Sequence, residues 1–205
     1  MEDLATVSIM ECPDFPILGT EPLPVELANT LYGGGGERTD FLGEAAWIDQ
    51  WFACVWDAHG LATTPPTGLD RRAGRVHSLR DAVHDLLSAA ADGRAPGQAA
   101  VSRVNDFARA APAYPRLEWP AGGAPAVQWL DDTGGGTAVL GRIAGSCIEL
   151  LTGERAEHLR RCRGPGCSML FVKNHSRRRW CHPSCGHRDR QARYYRRRAA
   201  PEGSR

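Results

Sequence analysis

The spacing of apolar residues along the first three quarters of the chain predicts a series of amphipathic helices. Between residues 43 and 60, apolar residues recur at intervals of three and four, which places them on one face of a helix. The same spacing occurs over residues 77–92 and again over residues 98–111, with a Gly/Pro-rich break between them. A longer pattern over residues 137–160 predicts a helix that leads directly to a cysteine-rich segment. These helices favour an irregular bundle.

Two short runs between the last two of these helices have the composition of β-strands. Residues 114–119 and 126–130 are separated by a stretch of proline and glycine, which predicts the two arms of a hairpin. The glycine runs 33–36 and 134–136 lack the Gly-Lys-Ser/Thr ending of a phosphate-binding loop, so both are predicted to be ordinary loops. The pattern predicts an α+β fold with a mostly helical N-terminal domain that carries a small β-hairpin or sheet.

Neither the tryptophans nor the histidines of this domain suggest an active site. Trp47, Trp51 and Trp56 follow helical spacing, so core packing explains them better than an aromatic binding box does. His77 and His84 are seven residues apart and can lie on one side of a helix, but no nucleophile or paired acid accompanies them. The sequence therefore predicts a protein that is not an enzyme.

Four cysteines near the C-terminus have the spacing of a metal site. They form two close pairs, C-x4-C and C-x3-C, separated by thirteen residues. The four are Cys162, Cys167, Cys181 and Cys185. Zinc takes four tetrahedral ligands, and the turn-forming residues 163–166 let both sulfurs of the first pair face one ion. One structural Zn²⁺ is predicted, because four thiolates leave no open position for a catalytic water.

The residues around these cysteines predict a treble-clef-like zinc finger. Residues 169–172 are an apolar run that suits a small hairpin, and the residues from Gly186 up to Pro201 favour a helix. Cys185 is then expected in the first turn of that helix, with the hairpin packed against it around the ion. The predicted division is a domain of residues 1–155 followed by a finger of residues 156–205.

The formal charge of +1 for the whole chain conceals two oppositely charged segments. Residues 151–205 contain fifteen Lys and Arg against four Asp and Glu, a balance of +11, which leaves −10 for residues 1–150. Two interpretations remain open: a polyanion-binding segment beside an acidic domain, or two halves that attract each other and mask the binding face. Arginine supplies twenty-four of the twenty-five basic residues, which a GC-rich genome also explains for the chain as a whole.

The density of arginine in the C-terminal segment favours nucleic-acid binding over simple solvation. A guanidinium binds phosphate or guanine through two parallel hydrogen bonds, and tyrosine adds stacking or sugar contacts. The predicted nucleic-acid contacts are Lys173, Arg177, Arg178, Arg179, Arg188, Arg190, Arg193, Tyr194 and Arg197. Double-stranded DNA is the predicted partner, and an RNA-binding or protein-interaction module is the alternative.

The C-terminal motifs resemble the CGNR zinc finger. The residues that carry the resemblance are Cys162, Cys167, Phe171, Ser176, the tripeptide Arg179-Trp180-Cys181 and the tetrapeptide Cys185-Gly186-His187-Arg188. His187 replaces the asparagine that the family usually has, and both side chains are compact and polar. With four thiols available, His187 is expected at the surface or as a cap rather than on the metal.

Segments upstream resemble the ABATE domain, which commonly precedes that finger. These segments are residues 22–30, 47–56 and 79–87. The two resemblances together cover nearly the whole chain. They imply a bacterial transcription regulator whose upstream domain senses stress or a ligand.

A site for a small-molecule effector is predicted on Asn29, Thr30 and Arg38. Polar groups in a loop against an apolar domain can orient a small molecule. A turn and helix-cap role is the alternative for these residues.

Cysteine usage and hydropathy predict a soluble cytoplasmic protein. Cys12, Cys54 and Cys147 are isolated, and seven cysteines is an odd number, so a secreted disulfide framework is not expected. The N-terminus lacks a basic flank followed by an apolar core, and no apolar stretch approaches membrane-spanning length. A homodimer formed through the upstream domain suits a regulator that binds a paired site.

Overall fold

The computed structural model describes residues 14–34, 37–61, 63–131 and 135–199. The helices are α1 Leu23–Asn29, α2 Ala46–Ala58, α3 Ala73–Ala91, α4 Gln98–Ala110, α5 Gly135–Thr152 and α6 Pro183–Ala199. The strands are β1 Leu31–Gly34, β2 Glu37–Asp40, β3 Ala113–Glu118, β4 Ala126–Asp131, β5 Leu159–Arg161 and β6 Leu170–Val172. Short 3₁₀ turns at Asp70–Arg72 and Glu154–His158 lead into α3 and β5.

The strands of the described ranges form three separate antiparallel pairs, β1–β2, β3–β4 and β5–β6. In the third pair Leu159 lies opposite Val172 and Arg161 lies opposite Leu170. Helices therefore dominate the fold and the strands occur only as hairpins, which confirms the predicted α+β class.

The main hydrophobic core is built from one face each of α1, α2, α3, α4 and α5. Trp51 and Phe52 of α2 meet edge to face, with ring centroids 4.8 Å apart. Leu79 and Leu87 of α3 and Leu140 of α5 are fully buried in the same cluster. Each such side chain contributes about 1.5–3 kcal/mol when it leaves water. This core is the platform on which the C-terminal hairpin rests.

Strand β6 contributes to two hydrophobic clusters at once. Leu170 and Val172 belong to the main core. Phe171, and Met169 just before the strand, pack in a second cluster with Cys162, Cys181 and Cys185. Successive side chains of a strand point to opposite faces, so a short extended segment can serve both clusters. The β5–β6 hairpin is thereby packed directly against the helical domain.

Most of the helices predicted from apolar spacing are confirmed. Helix α2 lies within the predicted residues 43–60, α4 covers most of residues 98–111, and α3 begins one turn before residue 77. The hairpin predicted at residues 114–119 and 126–130 is β3–β4.

The predicted helix over residues 137–160 is wrong at its C-terminal end. Helix α5 ends at Thr152, and Gly153 has the extended values φ −92° and ψ 175°. The chain then enters β5, whose pairing is continued by a bond from Lys173 N to His158 O. Leu159 is buried as a strand residue, although its position also suits the helical apolar pattern. A strand, not a helix, leads to the first cysteine pair.

Three further predictions need correction. Trp51 and Trp56 are buried as predicted, but Trp47 is 42% exposed. Gly33 and Gly34 end strand β1, and Gly135 and Gly136 begin α5, so neither glycine run is simply a loop. Cys54 is disulfide-bonded rather than isolated, and Cys12 lies outside the described residues.

None of the helices in the described ranges combines the length and apolarity needed to cross a membrane.

Candidate metal centre and basic surface

The four C-terminal cysteines converge on one point. Their Sγ atoms all lie within 4.8 Å of one another. Cys181 Sγ is 3.7 Å from Cys167 Sγ and 3.6 Å from Cys185 Sγ. A tetrahedral zinc ion with Zn–S bonds of about 2.3 Å requires sulfur separations of roughly 3.8 Å, so the cluster fits one structural Zn²⁺.

Two elements present these ligands. Strand β5 leads to Cys162, whose N–H donates to Met169 O at 2.8 Å and closes the turn that carries the first pair. Within that turn, a Cβ atom on Gly164 would lie 2.7 Å from Cys185 Cβ, so only glycine fits there. The close approach of the turn to α6 brings the two pairs together.

The second pair lies at the start of α6, where Cys181 precedes the helix and Cys185 is in its first turn. Pro183 begins the helix, a position where its missing N–H costs nothing. His182 precedes it, and its Nδ1 accepts a hydrogen bond from Ser184 N at 3.3 Å, as a capping side chain does. Cys185 follows in the first turn, where the positive end of the helix dipole favours a thiolate. The predicted location of this ligand is confirmed.

Hydrogen-bond donors surround the cysteine sulfurs. The backbone N–H groups of Gly164 and Cys181 each donate to Cys162 Sγ at 3.4 Å. Arg188 Nη2 donates to Cys185 Sγ at 3.1 Å. Four thiolates around Zn²⁺ carry a net charge of −2, and these donors and the guanidinium offset it, as outer groups do in structural metal sites.

Cys162 differs in protonation from the other thiols described here. Hydrogen bonds from the Cys167 and Cys181 thiols lower the pKa of Cys162. The same hydrogen bonds with Cys162 raise the pKa of Cys167 to about 12 and raise the pKa of Cys181. Burial raises the pKa of Cys147 to about 12. Cys162 is therefore the thiolate of the metal-free cluster, and Zn²⁺ must displace the protons of Cys167 and Cys181 when it binds.

Three of the four positions of the tetrapeptide at residues 185–188 have a distinct physical task. Cys185 supplies a sulfur, and Arg188 reaches back to it. A Cβ atom on Gly186 would lie 3.2 Å from the Trp180 ring, so glycine lets that ring cover the cluster. His187 is exposed, which confirms the prediction that it lies at the surface.

The outer edge of β6 is completed by side chains instead of a third strand. The Asn29 amide pairs with the Leu170 backbone in both directions, with Nδ2 to O at 3.0 Å and N to Oδ1 at 2.8 Å. Glu21 Oε2 accepts from Val172 N at 2.7 Å, and Arg178 Nη1 donates to Val172 O at 3.0 Å. Buried backbone groups must find such partners. Asn29 and Glu21 thus fasten the finger to the helical domain.

The residues predicted as an effector site do not all lie together. The Asn29 side-chain amide is already hydrogen-bonded to the Leu170 backbone. Thr30 follows the last residue of α1, and its Oγ1 donates a hydrogen bond to Leu27 O at 2.7 Å. This geometry supports the alternative reading of a helix cap for Thr30. Arg38 is exposed on β2 with Nη2 3.3 Å from His84 Nε2. Burial and the nearby Arg38 lower the pKa of His84 to about 4, so its ring is a neutral partner at pH 7.

The predicted nucleic-acid contacts divide into exposed and occupied groups. Arg177, Arg179 and the predicted residues of α6 from Arg190 onward are exposed. Lys173 is half-buried. Arg178 lies 4.7 Å above the Phe171 ring and pairs with Glu21 at 2.7 Å, with its side chain only 15% exposed. Arg178 therefore stabilises the finger, and its assignment as a nucleic-acid contact stays a prediction.

Helix α6 extends away from the cluster as an arginine-rich rod. No residue from His187 to Arg198 is buried. Tyr194 and Tyr195 are 51% and 67% exposed, and Arg198 lies 5.0 Å above the Tyr194 ring. Seventeen residues give a helix about 25 Å long.

Glu21 is the functional contact that sequence reasoning missed. It lies in the stretch before α1, 151 positions from its partner Val172. An isolated acidic residue beside proline has no periodic pattern. The one signal was its position directly before residues 22–30, the first segment that carries the upstream resemblance.

A four-cysteine centre shared by a hairpin and a basic helix defines a zinc-finger protein. Residues 158–198 match the CGNR zinc finger. Residues 21–154 match ABATE, described as "Putative stress-induced transcription regulator". That match covers more than half of the chain, so the chain belongs to the ABATE family, with the CGNR finger at its C-terminal end. Both are regulatory or zinc-finger families rather than enzyme families. A search of curated proteins returns no match.

Proposed function

We propose that the protein is a zinc-dependent regulator of transcription that binds double-stranded DNA through α6. The observation that carries the proposal is the exposed arginine helix fixed at one end to the zinc centre. The B-DNA major groove is about 12 Å wide and admits one α-helix. The zinc cluster supports this role by setting the direction in which the helix leaves the protein.

The charge distribution of α6 favours a polyanionic partner. Arg190, Arg193 and Arg197 repeat at three- and four-residue intervals, so their charges repel one another along one side of the helix. Asp189 is the single acidic residue within α6, and it pairs with Arg193 at 2.8 Å. Phosphate groups would relieve this repulsion because their negative charges would lie between the guanidinium groups. Each neutralised phosphate would also release a counterion, which favours binding further.

The acidic domain leaves this surface open. Among the residues that the structure describes, two ion pairs cross from the domain to the finger, Asp92 with Arg161 at 3.0 Å and Glu21 with Arg178 at 2.7 Å. Both arginines lie outside α6. This arrangement favours the first of the two interpretations of the bipolar charge, a binding segment beside an acidic domain.

Replacing Arg193 with alanine is expected to weaken DNA binding. A lost phosphate contact should reduce the salt slope by about 1, and a lost base contact should weaken affinity by about 5- to 150-fold. Fluorescence anisotropy of the zinc-loaded protein with duplex DNA, repeated over a series of salt concentrations, measures both. Arg109→Ala is the matched control, since Arg109 also pairs with a carboxylate on its own helix at 2.9 Å. Equal affinities for the two variants would remove Arg193 from the interface.

Selection on sheared genomic DNA tests the partner itself. Enrichment of a shared short sequence would support sequence-specific regulation and provide the operator. Preferential competition by RNA, or no enrichment of any fragment, would favour the alternative of an RNA-binding or protein-interaction module.

The remaining features of the proposal follow from the same centre. Four thiolates leave zinc no open position, so we propose no enzymatic activity for it. We keep the division into residues 1–155 and 156–205, and a cytoplasmic location, as parts of the proposal. Cell fractionation tests the location, and finding the protein outside the cytoplasm would contradict it. Metal-dependent catalytic assays test the absence of enzymatic activity, and measurable turnover would contradict that.

We also propose that an effector acts at the junction between the domain and the finger. A cavity of about 610 Å³ lies between the β1–β2 hairpin and the first cysteine pair. Tyr32, Thr39, Arg161 and Cys167 are among its lining residues. Its size suits a small molecule, and it touches a zinc ligand directly. A metabolite screen by thermal shift tests this, and binding that leaves the finger's hydrogen exchange unchanged would speak against it.

The exposed hairpin β3–β4 is proposed as the surface of a homodimer. Leu117 lies opposite Val127 across the hairpin, and they are 66% and 60% exposed. A two-stranded hairpin is marginal alone, and exposed apolar groups of this kind mark interfaces. A second copy would also present a second α6 to a paired site.

Leu117→Glu is expected to convert the dimer to a monomer of 22.3 kDa, because a carboxylate would be buried in the interface. Light scattering after gel filtration gives the mass. Gln128→Glu adds the same charge to the other face of the hairpin and should remain dimeric. A monomeric wild-type protein would overturn the proposal.

A further inference from the structure

A second basic feature of the finger is a cavity that lies apart from α6. It has a volume of about 390 Å³ and is formed by the β5–β6 hairpin and the loops that follow its strands. Five cationic side chains line it: Arg160, Arg163, Lys173, Arg178 and Arg179. No carboxylate is among the described residues that line it.

Most of this charge is not neutralised within the protein. Arg178 pairs with Glu21. Arg160 donates from Nη1 to two neutral carbonyls, Glu157 O at 2.8 Å and Leu159 O at 2.7 Å. Arg163, Lys173 and Arg179 make no ion pair within the described ranges. Four uncompensated cations around one concave surface form a strong site for an anion.

The cavity is also built on a rigid base. Phe171 is 1% exposed at its floor, and Arg178 is fixed above that ring by carbonyl and carboxylate partners. Arg160 has no carboxylate partner and is held by its two carbonyls, so its guanidinium is oriented before any ligand arrives. Such preorganisation lowers the ordering cost of binding.

The donor set suits a phosphate group. Several guanidinium and ammonium groups match an anion with three or more acceptor oxygens, because each guanidinium can donate two parallel hydrogen bonds. Ser176 adds a hydroxyl at the same cavity, and hydroxyls are common phosphate donors. A carboxylate, with two oxygens, would leave most of these donors unused.

We propose that this cavity binds a phosphate group. The group is either a phosphodiester of the DNA backbone, which rests on the proposed DNA-binding function, or a phosphomonoester of a free small molecule, which does not. A backbone phosphate here would fix the angle at which α6 meets the duplex. A free phosphate compound would place a ligand on the finger side of the protein.

Titration of the zinc-loaded full-length protein with inorganic phosphate tests the cavity directly. At constant ionic strength, the amide resonances of Lys173 and Ser176 are expected to shift and saturate. Lys173→Gln should raise the phosphate Kd by about 10-fold or more, the loss expected for a charge-assisted hydrogen bond. Arg103→Gln removes an exposed charge from α4 and should have no effect. A non-saturating response, or equal Kd values for the two variants, would overturn the proposal.

A parallel measurement with duplex DNA separates the two sources. If the ligand is the DNA backbone, inorganic phosphate should compete with DNA, and Lys173→Gln should reduce the salt slope by about 1. If it is a free phosphomonoester, Lys173→Gln should leave DNA binding unchanged. Saturable phosphate binding without any DNA binding would refute the proposed function and leave the cavity assignment standing. Arg179→Gln removes a second charge from the same cavity and should weaken phosphate binding as Lys173→Gln does. A zinc assay on every variant checks that the finger is still folded.

Discussion

Replacing Cys185 with serine is expected to leave the protein without bound zinc and without measurable affinity for DNA. Structural zinc contributes about 10–16 kcal/mol of apparent binding free energy in small fingers, far more than any single contact described here. No residue of α6 from His187 to Arg198 is itself buried, so the helix depends largely on its first turn for its stability. Zinc content by elemental analysis, helicity by circular dichroism and DNA anisotropy should all fall together.

Cys147→Ala is the control for loss of a thiol without loss of a ligand. Cys147 is fully buried in α5, so alanine leaves a small cavity there and should lower stability modestly. Zinc content and DNA affinity should remain at wild-type levels. A Cys185→Ser protein that still binds DNA without metal would contradict the role given to zinc. Chelation of the wild-type protein should reproduce the Cys185→Ser result.

Replacing Asn29 with alanine is expected to loosen the finger from the helical domain. The change leaves Leu170 N–H and C=O without partners in a buried place, and each unsatisfied group costs about 1–3 kcal/mol. The free energy of unfolding in urea should fall by roughly 2–5 kcal/mol, and amide exchange at Leu170 and Val172 should accelerate.

Asn105→Ala is the control that shows whether the loss of stability is specific to the Asn29 position. Asn105 is an exposed asparagine of α4, so its removal should change stability by less than about 0.5 kcal/mol. Equal stability of the two variants would show that the Asn29 amide does not fasten β6. Asn29→Asp is informative as well, because it keeps an acceptor for Leu170 N–H but places a carboxylate against Leu170 O.

The zinc centre was predictable because its information is local. Paired thiols, turn-forming residues between them and good helix formers after Gly186 each constrain a few neighbouring residues. Apolar periodicity likewise predicted α2, α3 and α4, since each helix buries one continuous face. The same rule failed over residues 153–160, where Leu159 continued the apolar spacing but is buried by pairing with a strand thirteen residues away.

The contacts that position the finger could not be predicted in this way. Asn29 and Leu170 are separated by 141 positions, and their mutual bonds follow from a strand edge that has no periodic pattern of its own. Helix α1 has only seven residues and β1 includes two glycines, so neither shows a full period. Arg178 and Arg179 are neighbours in one arginine run, yet only Arg178 is turned toward Phe171 and Glu21.

The alternating faces of β6 bear on how such a protein can be recombined. Leu170 and Val172 complete the wall of the helical core, while Phe171 lines the metal cluster. A finger transplanted to another protein at residue 158 would carry an uncovered apolar underside, and the remaining helices would lose part of their wall. A workable chimaera must therefore exchange the faces of α1 and α3 that cover this hairpin together with the finger, even though these segments are far apart along the chain.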